Sequence, residues 1–307
     1  MIAVLRWLFV AGVVLAGGVL AWLAWPESGD IALPGGVSSA SPGMADRGAY
    51  LVRAAACLPC HWDKKNGGQR FAGGRALKTP FGTFFTPNIT PDGETGIGKW
   101  SDAQFVRALT HGVGRSGEQL YPTFPYTSYA HMRVEDALAI KAYLATQNAV
   151  HQPNKPHDLS FPYSWRALIK GWKLLYFKGD QSLADEAGRS ASWNRGRYLV
   201  TAVGHCAECH SPRDAQGALV PDAWLQGNPK GPDGWRVPAL AGPRSKEFAG
   251  WTRAQIAHYL QSGEEPNFDS AEGPMAEVIT EGTKFLTDDD RSAIADYLKS
   301  LTSPPGS

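Results

Sequence analysis

Cys57-Leu58-Pro59-Cys60-His61 is a pair of thiols separated by two residues and followed at once by an imidazole. That spacing lets both sulfurs bond the vinyl groups of one haem while the adjoining histidine ligates its iron. The pattern returns as Cys206-Ala207-Glu208-Cys209-His210. A single copy also occurs in redox dithiols and in half zinc sites; two complete copies, each with its histidine, point to covalent haem attachment. The chain has 4 cysteines and the two motifs use all of them, so no thiol remains for a disulfide, a zinc site or catalysis. Two covalently bound haem c groups are therefore expected, with Cys57, Cys60, Cys206 and Cys209 as attachment points and His61 and His210 as iron ligands.

Outward from the motifs, the chain repeats itself at an offset of about 150 residues, a signature of duplication. Arg47-Gly48-Ala49-Tyr50-Leu51-Val52 leads into the first motif and Arg195-Gly196-Arg197-Tyr198-Leu199-Val200 into the second. Trp100-Ser101-Asp102-Ala103-Gln104 and Trp251-Thr252-Arg253-Ala254-Gln255 each predict a helix opened by a capping box and closed by Gly112 or Gly263. Helical runs over 134–144 and 287–301 follow, with Thr287 as an N-cap. Each copy thus reads as entry helix, haem motif, long loop, middle helix, ligand loop and terminal helix. The expected fold is all-α: an N-terminal transmembrane helix followed by two tandem class I cytochrome c domains, at 45–150 and 191–303. Gly48 and Gly196 are small enough to let the first and last helices of each copy cross closely.

Trp7 to Trp25 is an uncharged stretch of 19 residues preceded by Arg6. Its length suits a membrane span, its tryptophans suit an interfacial belt, and the arginine favours an N-in orientation. A cleaved signal peptide is the competing reading, with Val19-Leu20-Ala21 as the cleavage site. We expect a retained anchor over 1–25 in the cytoplasmic membrane, single-pass, with the haem domains in the periplasm. Residues 26–44, rich in Pro, Gly and Ser, read as a flexible linker.

The net charge of +1 gives no support to a nucleic-acid partner. The charge is nevertheless uneven: residues 45–178 carry 17 Lys/Arg against 9 Asp/Glu, and residues 245–303 carry 5 against 11. Two differently solvated surfaces are expected, or two ends facing different redox partners. Between the copies, in a linker over 151–190, Ser164 to Lys178 is basic and aromatic. It reads as a helix packed between the domains, with Trp165, Leu168, Trp172 and Tyr176 as its apolar stripe and Lys170 and Lys173 outside it. The alternative is an amphipathic helix on the membrane surface. His111, His151, His157 and His258 read as surface or loop histidines, His205 as structural, and Asp288-Asp289-Asp290 as acidic residues suited to a helix N-terminus.

With these residues placed, the chain resembles the membrane-associated cytochrome c subunits of bacterial dehydrogenases, such as those of alcohol dehydrogenase and gluconate 2-dehydrogenase. The likeness extends over nearly all of 45–303. It rests on Phe71-Ala72-Gly73-Gly74, Thr79-Pro80-Phe81-Gly82-Thr83, Thr86-Pro87-Asn88-Ile89-Thr90-Pro91-Asp92, Leu120-Tyr121-Pro122, Gly204-His205-Cys206 and Pro274-Met275-Ala276-Glu277-Val278. Those subunits usually carry three haems where this chain has motifs for two. The resemblance implies that the carbonyls of Pro87 and Pro238 orient the two histidines, though either is also an ordinary turn residue. It also makes Met275 the sixth ligand of haem two, with a core methionine as the alternative. For haem one, relatives often read Tyr-Pro-Ala-Met-Pro-Tyr where this chain has Tyr121-Pro122-Thr123-Phe124-Pro125-Tyr126, and phenylalanine cannot ligate iron. Met132 is the sole methionine between Cys57 and Cys206. It is the expected ligand, with His131 next and a hydrophobic staple as its competing role.

The implied function is electron transfer from the catalytic subunit of a periplasmic dehydrogenase to quinone, a terminal oxidase or another cytochrome, with no bond-making chemistry of its own. The rival reading is a dihaem enzyme, a peroxidase or a thiosulfate dehydrogenase. A peroxidase needs an open iron with distal acid-base groups. Thiosulfate dehydrogenases often use a cysteine ligand, which this chain lacks.

Overall fold

The computed structural model describes residues 1–302 except Ser28, Asp180 and Pro243. The apolar segment forms α1 (Ile2–Ala24), followed by α2 (Met44–Ala54), α3 (Cys57–His61), α4 (Asp102–His111), α5 (Tyr126–Tyr129) and α6 (Val134–Ala145). An intermediate helix, α7 (Leu168–Tyr176), precedes the second series. That series comprises α8 (Ala191–Tyr198), α9 (Ala207–His210), α10 (Lys246–Ala249), α11 (Arg253–Ser262), α12 (Gly273–Glu281) and α13 (Asp288–Thr302). A π-helical turn, Leu199–Val203, carries α8 toward the second motif.

The repeat is a repeat of helix crossings. In the first half α2 packs on α6, and in the second α8 packs on α13. Glycine sets both approaches, because a β-carbon on Gly48 would overlap the carbonyl of Ala139 and one on Gly196 would overlap that of Ala293. The expected capping boxes are present: Ser101 and Thr252 accept from the amides of Gln104 and Gln255, whose side chains return the bond. Leu51, Val52, Leu138, Ile140, Val200, Ile256, Ala295 and Leu298 join one buried core with both motif flanks.

The long loop after the first motif corrects the all-α expectation. The fold is mostly helical, but β1 (Ala76–Thr79) and β2 (Gly82–Phe85) form an antiparallel hairpin, with Ala76 opposite Phe85 and Thr79 opposite Gly82. A two-residue β3 (Asp158–Leu159) adds to its edge. Pro80 and Phe81 occupy the hairpin turn, where proline's fixed φ is an advantage.

The linker is likewise not a free tether. Ser39 reaches Asp102 through its amide at 2.9 Å and its hydroxyl at 2.6 Å, and Ser38 adds a hydroxyl at 3.2 Å. Glu27 donates its amide to the Gly117 carbonyl at 3.0 Å, and Arg107 bonds the carbonyl of Gly29. A composition that disfavours secondary structure thus still offers serine donors and free backbone groups for docking.

Two further expectations change. Lys173 lies inside, not outside, the α7 contact: its ammonium donates to the carbonyls of His111 at 2.6 Å and Gly112 at 2.8 Å, capping the end of α4. Burial pulls its pKa down to about 8. Trp165 and Tyr176, expected in the packed stripe, are exposed. The basic and acidic segments also meet each other in part. Glu277 pairs with Arg75 at 2.5 Å, while Glu281 faces Arg53 at 3.5 Å, Lys64 at 3.8 Å and Arg70 at 3.8 Å.

Candidate haem-attachment sites

Each motif is a single short helix entered through a left-handed residue, Ala56 at φ 46° and His205 at φ 41°. A left-handed step turns the chain sharply out of the entry helix, and for a residue with a β-carbon it is costly unless its surroundings enforce it. Ala56 is buried, and His205 is held by a hydrogen bond between Nε2 and the Ala55 carbonyl at 3.2 Å.

The histidines have matching settings. His61 Nδ1 lies 2.8 Å from the Pro87 carbonyl, and His210 Nδ1 lies 2.8 Å from that of Pro238. A carbonyl can only accept, so Nδ1 carries the proton and the Nε2 lone pair is left for another partner. Burial lowers both imidazole pKa values, outweighing the carbonyl's opposite pull, so both rings are neutral at pH 7. Backbone contacts reinforce the arrangement. Gly73 donates its amide to the His61 carbonyl at 3.1 Å, and Gly227 to that of His210 at 2.7 Å. Both glycines have positive φ and sit against the backbone of the proline segments, where a β-carbon would intrude.

The thiols are unlike redox or metal-binding thiols. Burial pushes Cys57 up to about 12, Cys206 up to about 11 and Cys209 up to about 12. A reactive or zinc-binding cysteine needs the opposite shift, from a nearby cation or a helix N-terminus. All four are free of disulfides, and no group of three or more His, Cys, Asp or Glu among the described residues is placed to hold a metal ion. Two protonated thiols beside a neutral, oriented imidazole fit a thioether-linked, histidine-ligated haem in each motif.

Other proposed ligands occupy different environments. Met275 is partly buried on α12, a helix where a loop was expected. Met132 is 2% exposed within the core, just before α6, and Leu286 stands in the matching place before α13. His131 is tied through Nδ1 to the Gln181 carbonyl at 2.7 Å, and Phe124 packs against Tyr129 with ring centroids 5.8 Å apart. His157, expected at the surface, is wedged among Phe84, Tyr121 and the amide of Phe85.

Several residues that sequence reasoning passed over connect the two motifs. The Ala55 carbonyl, two residues before Cys57, accepts from Tyr129 Oη at 3.2 Å as well as bonding His205, and the Tyr129 and His205 rings meet edge-on at 5.5 Å. Glu208, inside the second motif, accepts from Thr127 at 2.8 Å, Ser128 at 2.6 Å and Arg213 at 2.5 Å. Arg75 bonds the Pro59 carbonyl in the first motif and Glu277 in the second half, both at 2.5 Å. The repeat offset was the available signal for Ala56 and His205; the bonds from Glu208 and Arg75 span the two halves and leave no local pattern.

The Cytochrome c family matches residues 194–302. A diheme cytochrome c-type protein of Cereibacter sphaeroides is 40% identical over 293 residues, covering 94% of this chain and 95% of that protein. A nicotinate dehydrogenase subunit of Pseudomonas putida is 42% identical over 306 residues, 98% of this chain but 25% of its own length. The gluconate 2-dehydrogenase cytochrome c subunit of Pantoea cypripedii is 39% identical over 269 residues, with 85% of this chain and 60% of the relative covered. The chain therefore belongs to the dihaem c-type cytochromes related to the cytochrome c subunits of alcohol, gluconate and fructose dehydrogenases.

Proposed function

We propose that the protein is a membrane-anchored electron carrier. It takes electrons from the catalytic subunit of a periplasmic dehydrogenase, moves them between two haems, and delivers them to quinone, a terminal oxidase or another cytochrome. The supporting observation is the adjacency of two like sites: each motif has its oriented neutral histidine, and the motif flanks share the Ala55 carbonyl. When bound, the two haems supply reversible one-electron chemistry. The chain's part is to hold them by Cys57, Cys60, Cys206 and Cys209, ligate them by His61 and His210, and keep them close together.

In this reading two cytochrome c domains occupy 45–150 and 191–303, Pro87 and Pro238 orient the histidines, and Met275 is the sixth ligand of haem two. We carry Met132 forward as the sixth ligand of haem one. Helix α1, 23 residues long with a mean hydropathy of 2.2 over its most apolar window, serves as the retained anchor. The deciding experiment is stopped-flow reduction of the purified protein in detergent. Full, rapid reduction of both haems by a co-purifying dehydrogenase and its substrate, followed by reoxidation with a quinone analogue or an oxidase, is expected. Rapid peroxide turnover, or thiosulfate oxidation without a partner, would assign the rival enzymatic role.

A further inference from the structure

Nine large apolar side chains beyond Trp25 are exposed among the described residues, and six lie between 161 and 176: Phe161, Tyr163, Trp165, Leu174, Leu175 and Tyr176. Leu174 and Leu175 are 73% and 77% exposed. Single exposed leucines are ordinary on a protein surface, but a concentrated apolar surface marks a place of contact. Its charge has one sign. From 159 to 179 the chain has Arg166, Lys170, Lys173 and Lys178 and no Asp or Glu.

The position of α7 identifies what it contacts. Lys170 donates to the carbonyls of Trp22 at 3.1 Å and Trp25 at 3.3 Å, at the C-terminal end of α1, and its ammonium stands 4.6 Å over the Trp22 ring. Here a cation meets the negative end of a helix dipole, so the attachment is favourable in itself. The docked linker also holds this junction, through Glu27 on Gly117 and Arg107 on Gly29. Leu174 is one helical turn from Lys170, a rise of roughly 6 Å. The headgroup region on each side of a bilayer is about that deep. The opposite face of α7 is already occupied: Lys173 caps α4, and Trp172 donates its indole N–H to the Gln216 carbonyl at 3.0 Å. One side of the helix thus packs on both halves of the protein while the other continues the apolar surface of α1.

We propose that α7 and the aromatic segment before it are a second membrane contact: an interfacial helix whose Leu174 and Leu175 enter the acyl boundary and whose exposed Lys178 faces anionic phospholipid headgroups. The contact rests on α1 being the retained anchor. It holds the haem-bearing halves in a fixed orientation at the bilayer, unlike a flexible tether, which would let them rotate freely.

The test uses the full-length holoprotein in vesicles of phosphatidylcholine and phosphatidylglycerol. Leu175→Cys, Phe268→Cys and Val14→Cys are each spin-labelled, with the parent protein as the control for labelling of the haem-bonded thiols. Accessibility is then measured to oxygen and to a water-soluble nickel chelate. The label at 175 is expected to be several-fold less accessible to nickel than the one at 268 and shallower than the one at 14. A label at 14 in lipid with one at 175 as water-exposed as that at 268 would sink the interfacial helix while leaving the anchor intact. Loss of the residue 14 label from the mature protein would remove the anchor, and with it the contact as stated. Strong spin–spin broadening at 175 would instead show that a second copy covers this face, and would also overturn the inference.

Discussion

Tyr50 on α2 donates its hydroxyl to Asp290 on α13 at 2.5 Å, and the same bond recurs in reverse, from Tyr198 on α8 to Asp136 on α6, also at 2.5 Å. Each aspartate is held by an arginine of its own half: Arg47 pairs with Asp136 at 2.5 Å and Arg195 with Asp290 at 2.7 Å. The two halves therefore exchange tyrosines across their junction, with Arg-Gly-x-Tyr of each entry helix supplying one partner for its own half and one for the other. This is why the motif flanks meet in one core.

Removing the tyrosine hydroxyls should weaken that junction unequally. The Asp136 side chain is 1% exposed and that of Asp290 is 12%. Each aspartate keeps its arginine but loses one donor, and that loss costs more where water cannot replace it. Tyr198→Phe is expected to lower stability by about 2–3 kcal/mol and Tyr50→Phe by about 1–2 kcal/mol. Denaturant unfolding followed by haem absorbance measures both. Equal, negligible losses would mean the exchange is incidental.

The glycine crossings permit a sharper comparison. Gly48→Ala and Gly196→Ala each place a methyl against backbone, which cannot swing aside as a side chain can. Each is expected to cost at least about 2–3 kcal/mol and to force its helix pair apart. If α2–α6 and α8–α13 are equivalent parts of a duplication, the two losses should agree closely. A tolerated alanine at either position would show that its crossing is looser than described.

Asp102 sets a pH dependence for the linker. Burial raises its pKa, but hydrogen bonds from Lys141 and Ser39 outweigh this and bring it down to about 2 from an ordinary 3.8. A carboxylate whose folded pKa is depressed contributes stability above its unfolded value and loses it as pH falls through the folded one. The contribution should be complete above about pH 4 and fade toward pH 2, amounting to about 2 kcal/mol. Asp102→Asn should remove this dependence and expose residues 30–43 to protease at neutral pH. A variant whose stability difference from the parent is constant across that range would contradict the assignment.

What the sequence disclosed was mostly local or repeated. Cys57 to His61 and Cys206 to His210 are contiguous, the capping boxes of Ser101 and Thr252 span four residues, and Gly48 and Gly196 occupy one place in a visible repeat. What it concealed was tertiary. Lys173 reads as solvated by its helical position, yet it is buried because the carbonyls of His111 and Gly112 at the end of α4 accept from its ammonium. Ser38 and Ser39 read as spacer until Asp102 is placed next to them. The segment 76–85 reads as loop because each strand has four residues and pairs only within a hairpin and with two residues near 158. A periodicity cannot establish itself over so short a run.

The sixth ligand of haem one is decided by two substitutions at one position. Met132 has two competing roles, a thioether ligand or an apolar plug before α6 of the kind Leu286 forms before α13. Met132→Leu keeps the volume and removes the sulfur, so it leaves a plug intact and abolishes a ligand. Met132→Ala removes both, and as a core truncation it should cost about 2–5 kcal/mol in either case. Because Met275, if it ligates haem two as proposed, would give a signal of the same kind, both variants are best measured on a background in which Met275→Leu has removed it. With Met132 as ligand, Met132→Leu is expected to eliminate the remaining far-red charge-transfer band of the ferric protein. The same change should lower the potential of haem one and open its iron to carbon monoxide in the reduced state. A spectrum and potential unchanged by Met132→Leu, together with the stability loss in Met132→Ala, would make Met132 the plug. His131→Ala would then be the next substitution to measure.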